Sequence, residues 1–328
     1  MSEQKTCKKT SIAGQALIEG ILMRGPKKTA IVCRKPGEEM VVKEEPTGTM
    51  SHGAWARLPV IRGVVSFWDS MKFGMSALMY SADFIDEGES EPESKFDQWL
   101  EKHFEGEKLE KVMMGMALVF GICIPIVLFI LLPTFLAGFL GDGLPHIVRN
   151  LIEGCFRICI FLAFIYFTSK QNDVHRTYMF HGAEHKTISC YEAGLPLTVE
   201  NVRMQTRLHP RCGTSFLLVV MVISILVFSV ASSLLLMLIP GLAALRGTFW
   251  YRLIMILFKL LLLPLVVSIT YEINRWAGRH DNWFTKILTA PGMWLQNFTT
   301  NEPDDSMIEV GITAVQAVLP QEEGADRW

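Results

Sequence analysis

The stretch His181-Gly182-Ala183-Glu184-His185 sets two imidazoles four residues apart, with a carboxylate next to the second. If it is helical, His181 and His185 lie one turn apart on one face, with Glu184 beside them. Two neutral imidazoles suit Zn2+ or another divalent transition metal, and the carboxylate can take a proton from a water that such a metal acidifies. A tetrahedral site needs a further protein ligand, and three residues qualify: His209 and Cys212 in the turn His209-Pro210-Arg211-Cys212, and Glu272 beyond the last apolar run. Zinc accepts nitrogen, oxygen and sulfur, so donor chemistry does not choose among them. The polar 203–212 stretch is the densest ligand source nearby, which favours His209, with Glu272 close behind.

The order H-x-x-E-H is that of the inverted zinc peptidases, where both imidazoles bind zinc and the intervening Glu is the general base. That role falls here to Glu184. Other readings of the same residues stand beside it. Set among Lys186, Arg203, Arg207 and Arg211, the histidines also suit a polar membrane interface or a seat for anionic lipid headgroups, and Cys212 beside Arg211 also reads as a reactive thiol.

The elements that must position these residues are mostly apolar helices. Half of the 328 residues are hydrophobic, 20% are charged and the net charge is −2. This is the composition of a membrane protein with substantial water-exposed parts, and it has no basic footprint for nucleic acid. Four runs are close to the ~20 residues that cross a hydrocarbon core as a helix: Val112–Leu132, extendable to Leu140, then Ile147–Thr168, Thr214–Ile239 and Leu253–Thr270. Pro125 and Pro133 should kink or end the first. The fold class that follows is an α-helical integral membrane protein of about four transmembrane helices, with a small cytoplasmic α+β N-terminal region and a helical C-terminal tail.

Orientation follows from basic residues near the runs. The 168–214 loop carries Lys170, Arg176, Lys186, Arg203, Arg207 and Arg211, and Lys95, Lys102, Lys108 and Lys111 precede the first run, whereas loops 141–150 and 240–252 hold only Arg149, Arg246 and Arg252. The positive-inside rule puts both termini and the His-rich loop in the cytoplasm of a multi-pass cell-membrane protein. No signal peptide is visible, because Glu19, Arg24 and Pro26 interrupt the first thirty residues. Seven scattered cysteines suit free thiols on a reducing side, and Cys155 and Cys159 read as small packing residues.

Residues 1–85 read as a cytoplasmic α+β region, with strands Ala30–Arg34 and Glu39–Glu44 around Pro36-Gly37 and an amphipathic helix over Val60–Phe84. Glu19 and Arg24, set among glycines, can shape a small site or simply flank turns. Residues 86–111 form a linker and juxtamembrane segment, 112–271 the bundle with its loop, and 272–328 the cytoplasmic tail. Inside the runs, Arg157 and Lys259 are costly in hydrocarbon; Glu153 lies one turn before Arg157, and the deduced topology gathers all three into a polar cluster facing the bundle interior. Trp276, Trp283 and Trp294 are spaced as interfacial anchors. Pro303-Asp304-Asp305 opens an amphipathic helix bearing Ile308, Ile312, Val315 and Leu319, which should dock on the soluble region or the membrane surface, and Gly324–Trp328 should fray.

Taken together, the segments GQALIEGILMRGP, Arg62-Gly63-Val64-Val65, FHGAEHKTISCYEAG at 180–194, NVRMQTRLHPRCGTSF at 201–216 and APGMWLQNFTTNEPDD at 290–305 resemble the bacterial YqhQ-type membrane protein family, from Gly14 to about Leu319. That resemblance implies a bacterial inner-membrane protein whose usual label is a predicted metal-dependent enzyme. His181, Glu184, His185, His209 and Cys212 fall in its signature motifs; no substrate follows from it. Two functional expectations result. One is a metal-dependent hydrolase acting at the cytoplasmic interface on a peptide or lipid-linked substrate. The other is a non-catalytic membrane scaffold or transporter-like module in which the His-rich loop is a structural staple.

Overall fold

A computed structural model describes residues 9–34, 39–47, 58–82, 84, 103, 107–139, 146–245, 247–280, 282–320, 322 and 324–326. The turn at Pro36-Gly37, Cys7 and most of the 86–111 linker lie outside these residues. The protein is mostly helical, with a four-stranded N-terminal sheet, four helices long and apolar enough to cross a membrane, and a C-terminal helix. Two compact units are distinguishable: residues 1–85, 165–223 and 264–328 form one, and residues 86–164 and 224–263 the other.

The first unit is built on an antiparallel sheet of β1 (Ala13–Leu17), β2 (Gly20–Arg24), β3 (Lys28–Cys33) and β4 (Val41–Pro46), in sequential order. The glycine-rich opening is therefore itself a hairpin, with Leu17 paired to Gly20 and Glu19 in the left-handed region at φ 51°. β2 and β3 are apolar at nearly every position because both sheet faces are covered. On one face Ile21, Met23, Ala30 and Val32 pack against Phe180, Ala183 and Ile188 of α5 (Asn172–Glu192) and Met307, Val310 and Val315 of α10 (Asp305–Val318). On the other, Leu17, Leu22, Ile31 and Cys33 meet Ala77 of α1 (Ile61–Ala82). Burial pushes the Cys33 thiol up to about 12, aided by the nearby Glu19 charge, so it serves as an inert core residue. β4 is an exposed edge that carries Lys43, Glu44, Glu45 and Pro46, residue types that discourage further strand pairing.

The C-terminal helix thus docks on the sheet. Asp304 caps it by accepting the Met307 N–H at 2.9 Å. Of the stretch 324–328 expected to fray, residues 324–326 are described, and there Asp326 is fully buried and accepts Thr10 Oγ1 and Tyr191 Oη, each at 2.8 Å. α1 is fixed at its start by a bidentate ion pair between Arg62 and Glu272, and by Ser268 Oγ donating to the carbonyl of Val60. Val60 needs such restraint, since a β-branched residue at φ 75° is strained.

The second unit holds α2 (Glu107–Ile126), a π-helical turn (Val127–Leu131), α3 (Leu132–Gly138), the larger parts of α4 (His146–Thr168) and α7 (Gly213–Leu238), and the first half of α8 (Phe249–Arg279). The first apolar run is Val119–Gly138, later than expected, and the prolines bend its backbone register without ending it. Pro133 has no N–H for the carbonyl of Phe129, four residues earlier. Arg157 Nε donates to that carbonyl at 2.7 Å. Glu153 Oε1 accepts Arg157 Nη2 at 2.9 Å, Lys259 Nζ at 2.6 Å and Thr134 Oγ1 at 3.0 Å. Arg157 and Lys259, which composition placed in the bundle interior, thus share Glu153 as counter-charge, and all three are buried.

Candidate metal centre

The stretch expected as a loop after the second apolar run is mostly helical. A short break at Ser169–Gln171 separates α4 from α5, and α6 (Val199–Arg203) follows. His181 and His185 share a face of α5, with ring centroids 4.4 Å apart. Their orientation is set by backbone carbonyls, which can only accept. His181 Nδ1 therefore donates to the carbonyl of Thr299 at 2.7 Å, and His185 Nδ1 donates to that of Arg207 at 2.6 Å. Both rings then carry the proton on Nδ1 and expose an Nε2 lone pair, the arrangement by which metal-binding histidines are commonly oriented.

Cys212 lies beside both of those nitrogens. Its Sγ lies 3.1 Å from His181 Nε2, and the ligand atoms of His181, His185 and Cys212 all fall within 4.8 Å of one another. Tetrahedral zinc with bonds of ~2.0–2.3 Å separates neighbouring nitrogen and sulfur ligands by about 3.3–3.6 Å, so the widest pair of the group would have to close by up to about 1.5 Å to hold such an ion. His185 Nε2 is fully buried and hydrogen-bonds to no described residue. Burial pushes the pKa of His185 down, against the pull of Cys212, which favours the neutral imidazole that a metal requires.

Glu184 is 5% exposed, and its Oε2 lies 4.0 Å from His181 Nε2. Burial pushes its carboxyl above the ordinary value, opposed by His181, His209 and a hydrogen bond from the backbone of Gly14. Gly14 is required to be small: a Cβ there would lie 2.5 Å from Glu184 Cγ. β1 thus packs directly over the carboxylate.

Of the remaining sequence candidates, His209 borders the group, with its ring centroid 5.6 Å from that of His185, and Glu272 lies apart from it. His209 Nε2 is 3.4 Å from Glu192 Oε2, and Glu192 also takes the Thr10 N–H at 2.8 Å and an ion pair from Arg211. Burial alone would raise the Glu192 carboxyl, but His209, Thr10 and Arg211 together hold it below the ordinary value. Glu272 is the partner of Arg62 and is absent from the His181, His185 and Cys212 group.

Several supporting residues lie in the quoted motif segments but were given no role at this site by the sequence. Gln296, fully buried in α9 (Trp283–Thr299), donates Nε2 to the carbonyl of His209 and accepts its N–H through Oε1, both at 2.8 Å. That reciprocal pair fixes the turn that delivers Cys212. Lys186 Nζ holds the same segment through the carbonyl of Arg203 at 3.0 Å, and Arg207 donates to the carbonyl of Thr300. Gly182 allows the 299–303 segment to lie against α5, because a Cβ there would fall 2.0 Å from the carbonyl oxygen of Asn301.

Comparison with known proteins agrees with the sequence resemblance. The chain is 29% identical over 317 residues to the Uncharacterized protein YqhQ of Bacillus subtilis (strain 168), a match covering 93% of this chain and 91% of that one. No solved structure matches it. Residues 58–321, which include every candidate ligand, match the family described as Protein of unknown function (DUF1385), and the chain belongs to that family.

Proposed function

We propose that the protein is a membrane-bound, metal-dependent hydrolase. His181, His185 and Cys212 hold a divalent transition metal such as zinc, and Glu184 handles protons. The site works at the cytoplasmic face of a bacterial cell membrane on a peptide or lipid-linked substrate. One observation carries the reading: two imidazoles, each protonated on Nδ1 by a bond to a backbone carbonyl, turn their Nε2 lone pairs toward one cysteine sulfur, and one of those nitrogens is buried without a hydrogen bond. His181, His185 and Cys212 would supply three protein ligands to such an ion. A divalent ion bound there acidifies water and polarises a carbonyl or phosphoryl oxygen.

The protein groups divide the remaining work. Glu184 Oε2 accepts the proton of the attacking water and returns it to the leaving group. The carbonyls of Thr299 and Arg207 keep both imidazoles in the tautomer that presents Nε2. Gln296 keeps the turn before Cys212 in register. The cytoplasmic location rests on the excess of Lys and Arg beside the second and third apolar runs.

The decisive experiment is elemental analysis of detergent-purified, tag-free protein beside His181→Ala/His185→Ala. Zinc or another transition metal near one per chain in wild type alone is the expected result; metal-free wild type after attempted reconstitution would remove the basis of the proposal. Glu184→Gln should keep the metal and lose hydrolysis of responsive peptide or lipid-linked substrates. A second reading, a structural metal that staples the 203–212 turn to α5 in a scaffold protein, is favoured by the depth of His185, which is 1% exposed. Under that reading Glu184→Gln is silent and Cys212→Ser loses stability.

A further inference from the structure

A cavity of about 410 Å³ opens where α4 gives way to α5, with its far wall formed by the end of α9 and the segment after it. We propose that it seats the phosphate group of a membrane phospholipid. Depth is the first argument. Tyr166 lies near the end of the apolar run Ile147–Thr168, and Lys170 lies just past it, at the headgroup level of any bilayer that this run crosses. Aromatic side chains mark the same level: Phe298 in the wall makes edge contacts with Tyr166 at 6.4 Å and with the exposed Trp294 at 5.2 Å.

Chemistry is the second argument. The lining contains no carboxylate. Lys170, in the lining, holds its Nζ 5.3 Å over the Tyr166 ring and forms no ion pair with a described carboxylate. His175 adds a second group able to donate to an anion. Asn301 is braced by Nδ2 donating to the carbonyl of His175 at 3.3 Å, which fixes the polar wall. A cation, an imidazole and amides above an aromatic shelf match a phosphodiester with its glycerol backbone pointing into the acyl region. The inference is independent of the metal centre, since none of these side chains is a ligand there.

The test uses full-length, delipidated protein in detergent, titrated with dioctanoyl phosphatidylglycerol and, separately, with inorganic phosphate, for wild type, Lys170→Ala and Lys170→Arg. Saturable lipid binding, weakened about tenfold in Lys170→Ala and largely restored in Lys170→Arg, is expected for one lost charge-assisted contact. Equal lipid binding by wild type and Lys170→Ala would overturn the proposal, as would saturable binding of inorganic phosphate without saturable binding of the lipid. Metal content should be the same in all three proteins, whatever its value.

Discussion

Gly182→Ala sets two physical effects against each other. In the middle of a helix the change should stabilise by about 0.5–1 kcal/mol, because alanine loses less backbone freedom on folding. Here the new Cβ would lie 2.0 Å from the carbonyl oxygen of Asn301 and 3.4 Å from Pro303 Cδ. Relief requires the 299–303 segment to retreat from α5 by about 1 Å, the kind of overpacking that costs typically 1–3 kcal/mol. The retreat also stretches two bonds, Asn301 N–H to the carbonyl of Tyr178 at 2.8 Å and His181 Nδ1 to the carbonyl of Thr299 at 2.7 Å. At about 1 kcal/mol each, the net expectation is a loss of about 2–4 kcal/mol, or roughly 3–6 °C in melting temperature for a chain of this size. Thermal unfolding in detergent reads this directly. Gly115→Ala is the control, because a Cβ there meets nothing within 4 Å and only the propensity gain applies. Metal affinity should fall as well, by 10–100-fold, the usual cost of losing a bond that orients a ligating histidine. A Gly182→Ala protein that melts at or above wild type would refute the close approach on which the orientation of His181 depends.

Cys212→Ser should weaken metal binding far more than His209→Gln, measured by competition with a chromophoric chelator; equal losses would return His209 to the ligand set. Glu192→Gln should destabilise by about 2–3 kcal/mol at neutral pH, less than the full cost of breaking a buried pair because Glu192 is partly screened. The native Glu192 pKa is depressed, so its contribution is present above the ordinary carboxylate range and is lost as pH falls through the depressed value. The melting difference between wild type and variant should therefore shrink on acidification, and a difference that is flat down to low pH would contradict that assignment. Glu153→Gln leaves Arg157 and Lys259 without their shared counter-charge and should cost roughly 3 kcal/mol or more in detergent unfolding. Glu272→Gln should leave metal content unchanged while loosening α1, detectable as faster hydrogen exchange over residues 61–70.

Apolar run length is a one-dimensional property, so the four membrane-length helices were legible from residue order alone. The pairing of His181 with His185 was legible for the same reason, as a single helical repeat. What decided the rest was the path of the backbone. Composition pointed to His209 as a further ligand because it stands in the densest polar stretch. In three dimensions the Gln296 pair grips His209 by its main chain and its ring faces Glu192, while Cys212, three residues on, reaches the imidazoles. The carbonyls of Thr299 and Arg207 could not be inferred from side-chain identity, since any residue supplies the same oxygen. Likewise Glu153 and Arg157 announced themselves by spacing, whereas the Phe129 carbonyl that Arg157 also serves is exposed only by Pro133. For the first hairpin the glycines left a small site and turn residues both open; Glu19 takes the left-handed turn position and its carboxylate pairs with Arg176.

The hydrogen bonds around Thr10 impose a parity rule. Thr10 N–H is held by Glu192, and its hydroxyl by Asp326, so residues near the start, the middle and the end of the chain meet at one place. Three points in contact lie on the same side of any bilayer. The chain must therefore cross an even number of times between residues 10 and 192, and again an even number of times between residues 192 and 326. Two apolar helices before that midpoint and two after it satisfy both conditions, whereas losing or adding one crossing in either half would pull the knot apart. If all four apolar helices cross a bilayer, the contacts of Thr10 with Glu192 and Asp326 tie the ends of the first helix pair and of the second helix pair to one side of it.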